Sequence, residues 1–181
     1  MRIFLGLPVE PTLRSELEKK RDELGGAVGK YKPTKQELWH LTLVFLSDLN
    51  EEKLDALIHL VENCCEKPPS GGFKIRCFHT FPEKKPTHLS ACASPENPNS
   101  WQEFVKRLRD FVSIVDSNID RKPWSPHISL GRAMPRGTTL PAWKVPIGPY
   151  EWKPDRILLY RSNQSILGTT YEVIHEFKLD V

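Results

Sequence analysis

One succession occurs twice along this chain: a short apolar strand, a helix, a loop, and then a strand that opens on histidine. The first copy runs from Phe4 through a helix striped by Leu13, Leu17 and Leu24 to His40. The second runs from Leu89 through a helix striped by Trp101, Phe104, Val105, Leu108, Phe111 and Val115 to His127. The strand-to-histidine spacing is 36 residues in one copy and 38 in the other, and the two histidine-led strands read H-L-T-L and H-I-S-L. Such a duplication points to two similar units packed about a pseudo-twofold axis, with both histidine strands facing one cleft.

The rest of the pattern fits an α+β architecture. Strands are expected over Ile3–Val9, Trp39–Leu46, Phe73–Phe81, His88–Ala93, His127–Arg132, Ile157–Tyr160 and Tyr171–Leu179. Pro11 suits the first turn of the first helix, and Gly25-Gly26 stops it. Asn50 is placed to cap a second helix striped by Leu54, Leu57, Ile58, Val61, Cys64 and Cys65. Ser100 with Glu103 matches a capping box ahead of the third. Residues 133–153 carry four prolines and two glycines and read as loop with one short strand. No linker divides the chain, so a single bilobal domain over residues 1–181 is expected.

Strand geometry turns the repeated motif into a site. Residues i and i+2 share a face. His40 therefore projects with Thr42, and His127 with Ser129, while Leu41, Leu43, Ile128 and Leu130 point into a core. Two imidazoles can divide the roles of base and acid near neutral pH. Two hydroxyls can donate to the non-bridging oxygens of a phosphate. The set suits metal-free hydrolysis of a phosphodiester, and a strained cyclic phosphate most of all. Two histidines with hydroxyl partners lack the third strong ligand that zinc normally takes. Neither a metal nor a cofactor is expected.

Composition removes other classes. With 39% hydrophobic and 27% charged residues, the chain is neither a disordered polymer nor a membrane bundle. A net charge of +3 is too small to carry duplex DNA binding by bulk charge. No stretch approaches a signal-peptide core or a membrane span. Cys64, Cys65, Cys77 and Cys92 form no C-x-x-C pair. A soluble, reduced, cytoplasmic protein with no membrane partner is the expectation.

These residues carry a resemblance. The paired motifs lie 87 residues apart, and around them stand M-R-I-F-L-G-L-P-V-E, W-H-L-T-L-V-F-L, P-H-I-S-L-G-R and L-L-Y-R-S followed by G-T-T-Y-E-V-I-H-E-F-K-L. The chain resembles the two-histidine phosphoesterase superfamily over nearly its whole length. Within it, the chain is similar to the RNA 2′,3′-cyclic phosphodiesterase family, also called 2′-5′ RNA ligase. The resemblance implies a bilobal fold in which two antiparallel sheets line a central cleft, with helices outside. It implies hydrolysis of an RNA 2′,3′-cyclic phosphate end to a 2′-phosphate. His40 would be the proton donor to the leaving 3′ oxygen and His127 the proton acceptor that activates water. Thr42 and Ser129 would contact the phosphate. The partner would be an RNA end or related nucleotide, and the protein a monomer. Reverse 2′-5′ ligation, a 3′ exonuclease acting on RNA tails, and a nucleotide- or RNA-end-binding module stand as alternatives.

Phe45 and Arg132 each follow a motif histidine by five residues. Arg132 could pair with a phosphate oxygen and Phe45 could stack on a base or pack in the core. Strict alternation turns position +5 away from the histidine unless the strand bulges or ends, and Gly131 allows that beside Arg132. Trp39 and Trp124 flank the motifs as stacking or packing residues. Lys30, Lys32, Lys35, Lys84 and Lys85 read as a solvated face that could steer RNA ends. His59 is expected to be exposed and His79 and His175 structural, while His88 has no assigned place.

Overall fold

The two histidine-led strands lie side by side and share one bridge pair. In a computed structural model that describes residues 2–46, 49–120, 122–166 and 168–179, the chain forms three α-helices and nine strands among the described residues. The strands are β1 (Ile3–Pro8), β2 (Tyr31–Pro33), β3 (His40–Leu46), β4 (Phe73–Phe81), β5 (His88–Pro95), β6 (His127–Ala133), β7 (Lys144–Trp152), β8 (Arg156–Ser165) and β9 (Gly168–Lys178). The helices are α1 (Pro11–Glu23), α2 (Leu54–Cys65) and α3 (Pro98–Val112). Strand order is β7-β4-β5-β6-β3-β1-β8-β9, with β2 also on β6. All these pairings are antiparallel.

That order is symmetric about the β6–β3 junction, where Leu41 lies opposite Ile128. Outward from it, β3, β1, β8 and β9 mirror β6, β5, β4 and β7. The two expected sheets are thus halves joined edge to edge. Both present one face to the helices. Leu41, Leu43, Ile128 and Leu130 join Leu17, Leu57, Trp101 and Phe104 in one buried core, each about 1% exposed or less. The opposite face of the sheet carries the histidines.

Helix α1 starts at Pro11, whose missing N–H costs nothing in the first turn. Before α2, Asn50 accepts from the Glu52 N–H and caps a 3-10 turn over Glu51–Lys53 that leads into it. Helix α3 corrects one expectation. Its N-cap is Asn97, which accepts from the Ser100 N–H at 3.3 Å, because Pro98 suits the first helical position and draws the start forward. Ser100 Oγ instead accepts from Ser70 N at 2.9 Å. The stripe holds, with Trp101, Phe104, Val105, Leu108 and Val112 buried, but the helix ends before Val115.

Two further expectations are corrected. Residues 144–152 form a nine-residue strand where a short one was expected. It is an edge strand, so Pro146 and Pro149 interrupt no second ladder. Cys77 and Cys92 are joined in a disulfide, so the reduced state expected for all four cysteines does not hold. They lie directly opposite on β4 and β5, a register that the 15-residue separation alone does not give. Cys64 and Cys65 are free. No helix among the described residues is long and apolar enough to cross a membrane.

Candidate active site

Strands β3 and β6 have the same burial pattern, residue for residue. His40, Thr42, His127 and Ser129 are half-buried on the face away from the helices, and the apolar residues between them are buried. The antiparallel sense at Leu41–Ile128 directs His40 toward Ser129 and Thr42 toward His127. The four expected residues are therefore brought to one face at the junction of the halves.

The same irregularity follows in each strand. Leu5 pairs with Val44 and Gly6 with Thr42, which makes Leu43 an extra residue on β3. Leu89 pairs with Gly131 and Ser90 with Ser129, which makes Leu130 an extra residue on β6. One added residue reverses the alternation beyond it. Phe45 and Arg132 therefore return to the histidine face, where both are exposed. Core packing for Phe45 is excluded by its 54% exposure.

Both imidazoles are held alike. Nδ1 of His40 lies 2.8 Å from the Leu38 carbonyl, and Nδ1 of His127 lies 2.8 Å from the Ser125 carbonyl. A carbonyl oxygen only accepts, so each Nδ1 carries the hydrogen. In the neutral ring Nε2 is then the proton-accepting nitrogen. Trp124 supports the junction from behind by donating from Nε1 to the Thr42 carbonyl at 3.0 Å. Trp39 is 1% exposed and donates to the Thr34 carbonyl at 3.0 Å, which makes it a packing residue.

The surroundings of the two histidines differ. His40 sits among Phe4, Tyr171 and Tyr160, with ring centroids at 4.6, 5.2 and 5.8 Å. Burial there lowers its pKa from 6.5 to about 4, against a smaller raising effect of the Leu38 carbonyl, and charge on His127 lowers it further. His127 has Phe81 at 5.5 Å. Directly opposite it lies Cys92, and polar groups stand further along the same strands: Ser90 lies between His79 and Ser129, and His88 opposite Arg132. Burial lowers the pKa of His79 and of His88, with charge on His127 adding to both. Nε2 of His79 and Oγ of Ser90 are buried and have no hydrogen-bond partner among the described residues. His59 is exposed and His175 lies 3.6 Å from Glu62, so neither reaches the site. Sequence reading missed Phe4, Tyr160, Tyr171 and His88. Their only signal is strand parity, which becomes legible once the bulges are known. No group of three His, Cys, Asp or Glu side chains among the described residues is placed to hold a metal ion.

Comparison with known proteins fits this geometry. The family model described as the 2′-5′ RNA ligase superfamily matches residues 9–165. The chain belongs to the 2′-5′ RNA ligase superfamily. A relative from Thermotoga maritima, named RNA 2′,3′-cyclic phosphodiesterase, is 26% identical over 99% of this chain and 96% of its own length. One of the same name from Methanocaldococcus jannaschii is 25% identical over 98% of this chain and 100% of its own. Among solved structures, TT0787 of Thermus thermophilus superposes with a TM-score of 0.82 at 26% identity, covering 99% of this chain and 98% of that one. LigT of E. coli complexed with 3′-AMP does so with a TM-score of 0.75 at 21% identity, over 99% and 98%. The 2′-5′ RNA ligase fold is thus shared end to end.

Proposed function

We propose that this 2′-5′ RNA ligase superfamily member hydrolyses RNA 2′,3′-cyclic phosphate ends to 2′-phosphate ends without a metal ion. The carrying observation is the pair of identically bulged strands, which set two imidazoles and two hydroxyls on one face. Relatives named RNA 2′,3′-cyclic phosphodiesterase support the substrate. The set of side chains supports metal independence, since the acid, the base and the phosphate contacts are all protein groups.

Nε2 of His127 takes a proton from water as its oxygen attacks phosphorus. The bond from phosphorus to the 3′ oxygen breaks, and His40 gives that oxygen its proton from Nε2. Thr42 and Ser129 donate to the non-bridging oxygens, Arg132 pairs with the phosphate-bearing end, and Phe45 stacks on the base. Resting His40, with a pKa of about 4, is neutral at pH 7. As donor it loads its proton when the anionic phosphate arrives, because nearby negative charge favours the imidazolium. Ligation to a 2′-5′ bond is the same step with an RNA 5′-hydroxyl attacking phosphorus in place of water, His127 taking the proton of that hydroxyl and His40 giving one to the leaving 3′ oxygen. The halves supply one histidine each, so the chain works as one bilobal unit over residues 1–181, and as a monomer.

The test is a short RNA with a 2′,3′-cyclic phosphate end, incubated in EDTA, with product ends identified. A 2′-phosphate product that disappears in both His40→Ala and His127→Ala is expected. Tight nucleotide binding without any product would turn the reading to a binding module. Stepwise loss of nucleotides would turn it to an exonuclease.

A further inference from the structure

Among the described residues the short strand β2 has no counterpart in the other half, and it adds a charge to the site's face. It is pinned to the outer part of β6, with Tyr31 opposite Ala133, Lys32 opposite Arg132 and Pro33 opposite Gly131. The main-chain bonds Thr34 N to Leu130 O (2.9 Å) and Met134 N to Lys30 O (3.1 Å) extend this attachment past both ends. Gly131 admits it, since a Cβ there would stand 2.5 Å from the Tyr31 ring. On the other edge of β6, His88 lies opposite the same Arg132. Residues directly opposite share a face. Lys32, Arg132 and His88 therefore form one row across three strands, roughly 10 Å wide at about 4.8 Å per strand.

Like charges directly opposite each other destabilise a strand pair. Lys32 and Arg132 are both exposed, and among the described residues neither has a carboxylate partner. An anion is what this row lacks. It runs beside Ser129, within reach of one extended sugar-phosphate unit. We infer that Lys32, Arg132 and His88 hold the phosphodiester on the 5′ side of the terminal nucleotide, so that the substrate is an oligonucleotide end in preference to a cyclic mononucleotide. This rests on the hydrolytic reading above. Arg132 lies between the two phosphates, and Lys32 and His88 flank the second. At the equivalent place in the other half Phe45 lies opposite Phe4.

The experiment compares three substrates: a 2′,3′-cyclic mononucleotide, a dinucleotide with a 2′,3′-cyclic end, and that dinucleotide with its internal linkage replaced by a neutral methylphosphonate. With wild-type protein the charged dinucleotide should lead the mononucleotide in kcat/KM by about tenfold or more, the worth of one charge-assisted hydrogen bond. The neutral linkage should remove that lead. Lys32→Glu should collapse the dinucleotide-to-mononucleotide ratio toward one, through KM and not kcat, and His88→Gln should lower it in part. Lys32→Gln should also reduce the slope of log affinity against log salt by about one. A lead that survives both Lys32→Glu and the neutral linkage, or no lead in the wild type, would overturn the subsite and leave the hydrolytic reading intact. Failure of the wild type to hydrolyse any of the three would overturn both.

Discussion

His40 and His127 occupy equivalent places on equivalent strands, yet the face around each is built from different chemistry. Next to them across the neighbouring strand lie Pro8 and Cys92. Opposite Thr42 lies Gly6, and opposite Ser129 lies Ser90. Opposite Phe45 lies Phe4, and opposite Arg132 lies His88. One half presents an aromatic wall, continued by Tyr160 and Tyr171, and the other presents imidazoles, hydroxyls and cations. The duplication fixes where groups stand, while the side chains decide what each half does. An aromatic wall suits a nucleobase, and a polar wall suits the phosphates attached to it.

The largest expected effect makes the halves look alike. His40→Ala and His127→Ala should each lower kcat on a cyclic-phosphate end by about 10²–10⁴-fold, measured under single turnover. A much smaller loss in one of them would break the equivalence at the level of chemistry.

Acid should separate them next. The folded protein keeps His40 uncharged down to about pH 4, whereas in the unfolded chain it charges near 6.5. Between those values the unfolded chain binds more protons, so this contribution to stability is complete above about pH 6.5 and is lost as pH falls toward 4. The loss is at most about 3 kcal/mol, less any screening by solvent at this half-buried ring. His79 and His88 act in the same direction. Thermal melts from pH 4 to 7 should show a flatter acid limb for His40→Gln than for the wild type.

Substrate binding should then divide by salt. Phe45→Ala should raise KM about 5–150-fold, the range of one stacked base, with an unchanged salt slope. Arg132→Ala should raise KM by a similar factor but with a shallower slope. Equal salt responses would remove the distinction between a base wall and a phosphate wall.

The smallest effect concerns positions 6 and 90, which face the two hydroxyls. A Cβ at Gly6 would stand 3.2 Å from the Leu41 carbonyl and 3.3 Å from the His40 ring. Gly6→Ala should therefore disturb His40 and lower kcat. At the equivalent place Ser90 buries a hydroxyl with no hydrogen-bond partner among the described residues. Ser90→Ala should be neutral or raise stability by about 1 kcal/mol, seen as roughly 2–4 °C in Tm.

How much of this was legible in the sequence follows from the range of the interactions. The strands around both histidines and the stripe of α3 are local patterns; the strands form as expected, and the stripe does as far as Val112. Thr42 and Ser129 were placed by simple alternation. Phe45 and Arg132 needed the bulges at Leu43 and Leu130, which are set by partner strands far away in sequence. The same distance hid the Cys77–Cys92 pair, the aromatic surroundings of His40 and the place of His88. Strand β7 was masked by its prolines, which an edge position tolerates. Strand β2 has only three residues, too few for a period.

The division of labour between the halves is tested most directly by replacing the leaving 3′ oxygen of the cyclic phosphate with sulfur. A thiolate departs without needing a proton. His40→Ala should recover most of its lost activity on the sulfur substrate, and His127→Ala should recover none. Recovery by His127→Ala in place of His40→Ala, or by neither variant, would contradict the assignment of donor and acceptor.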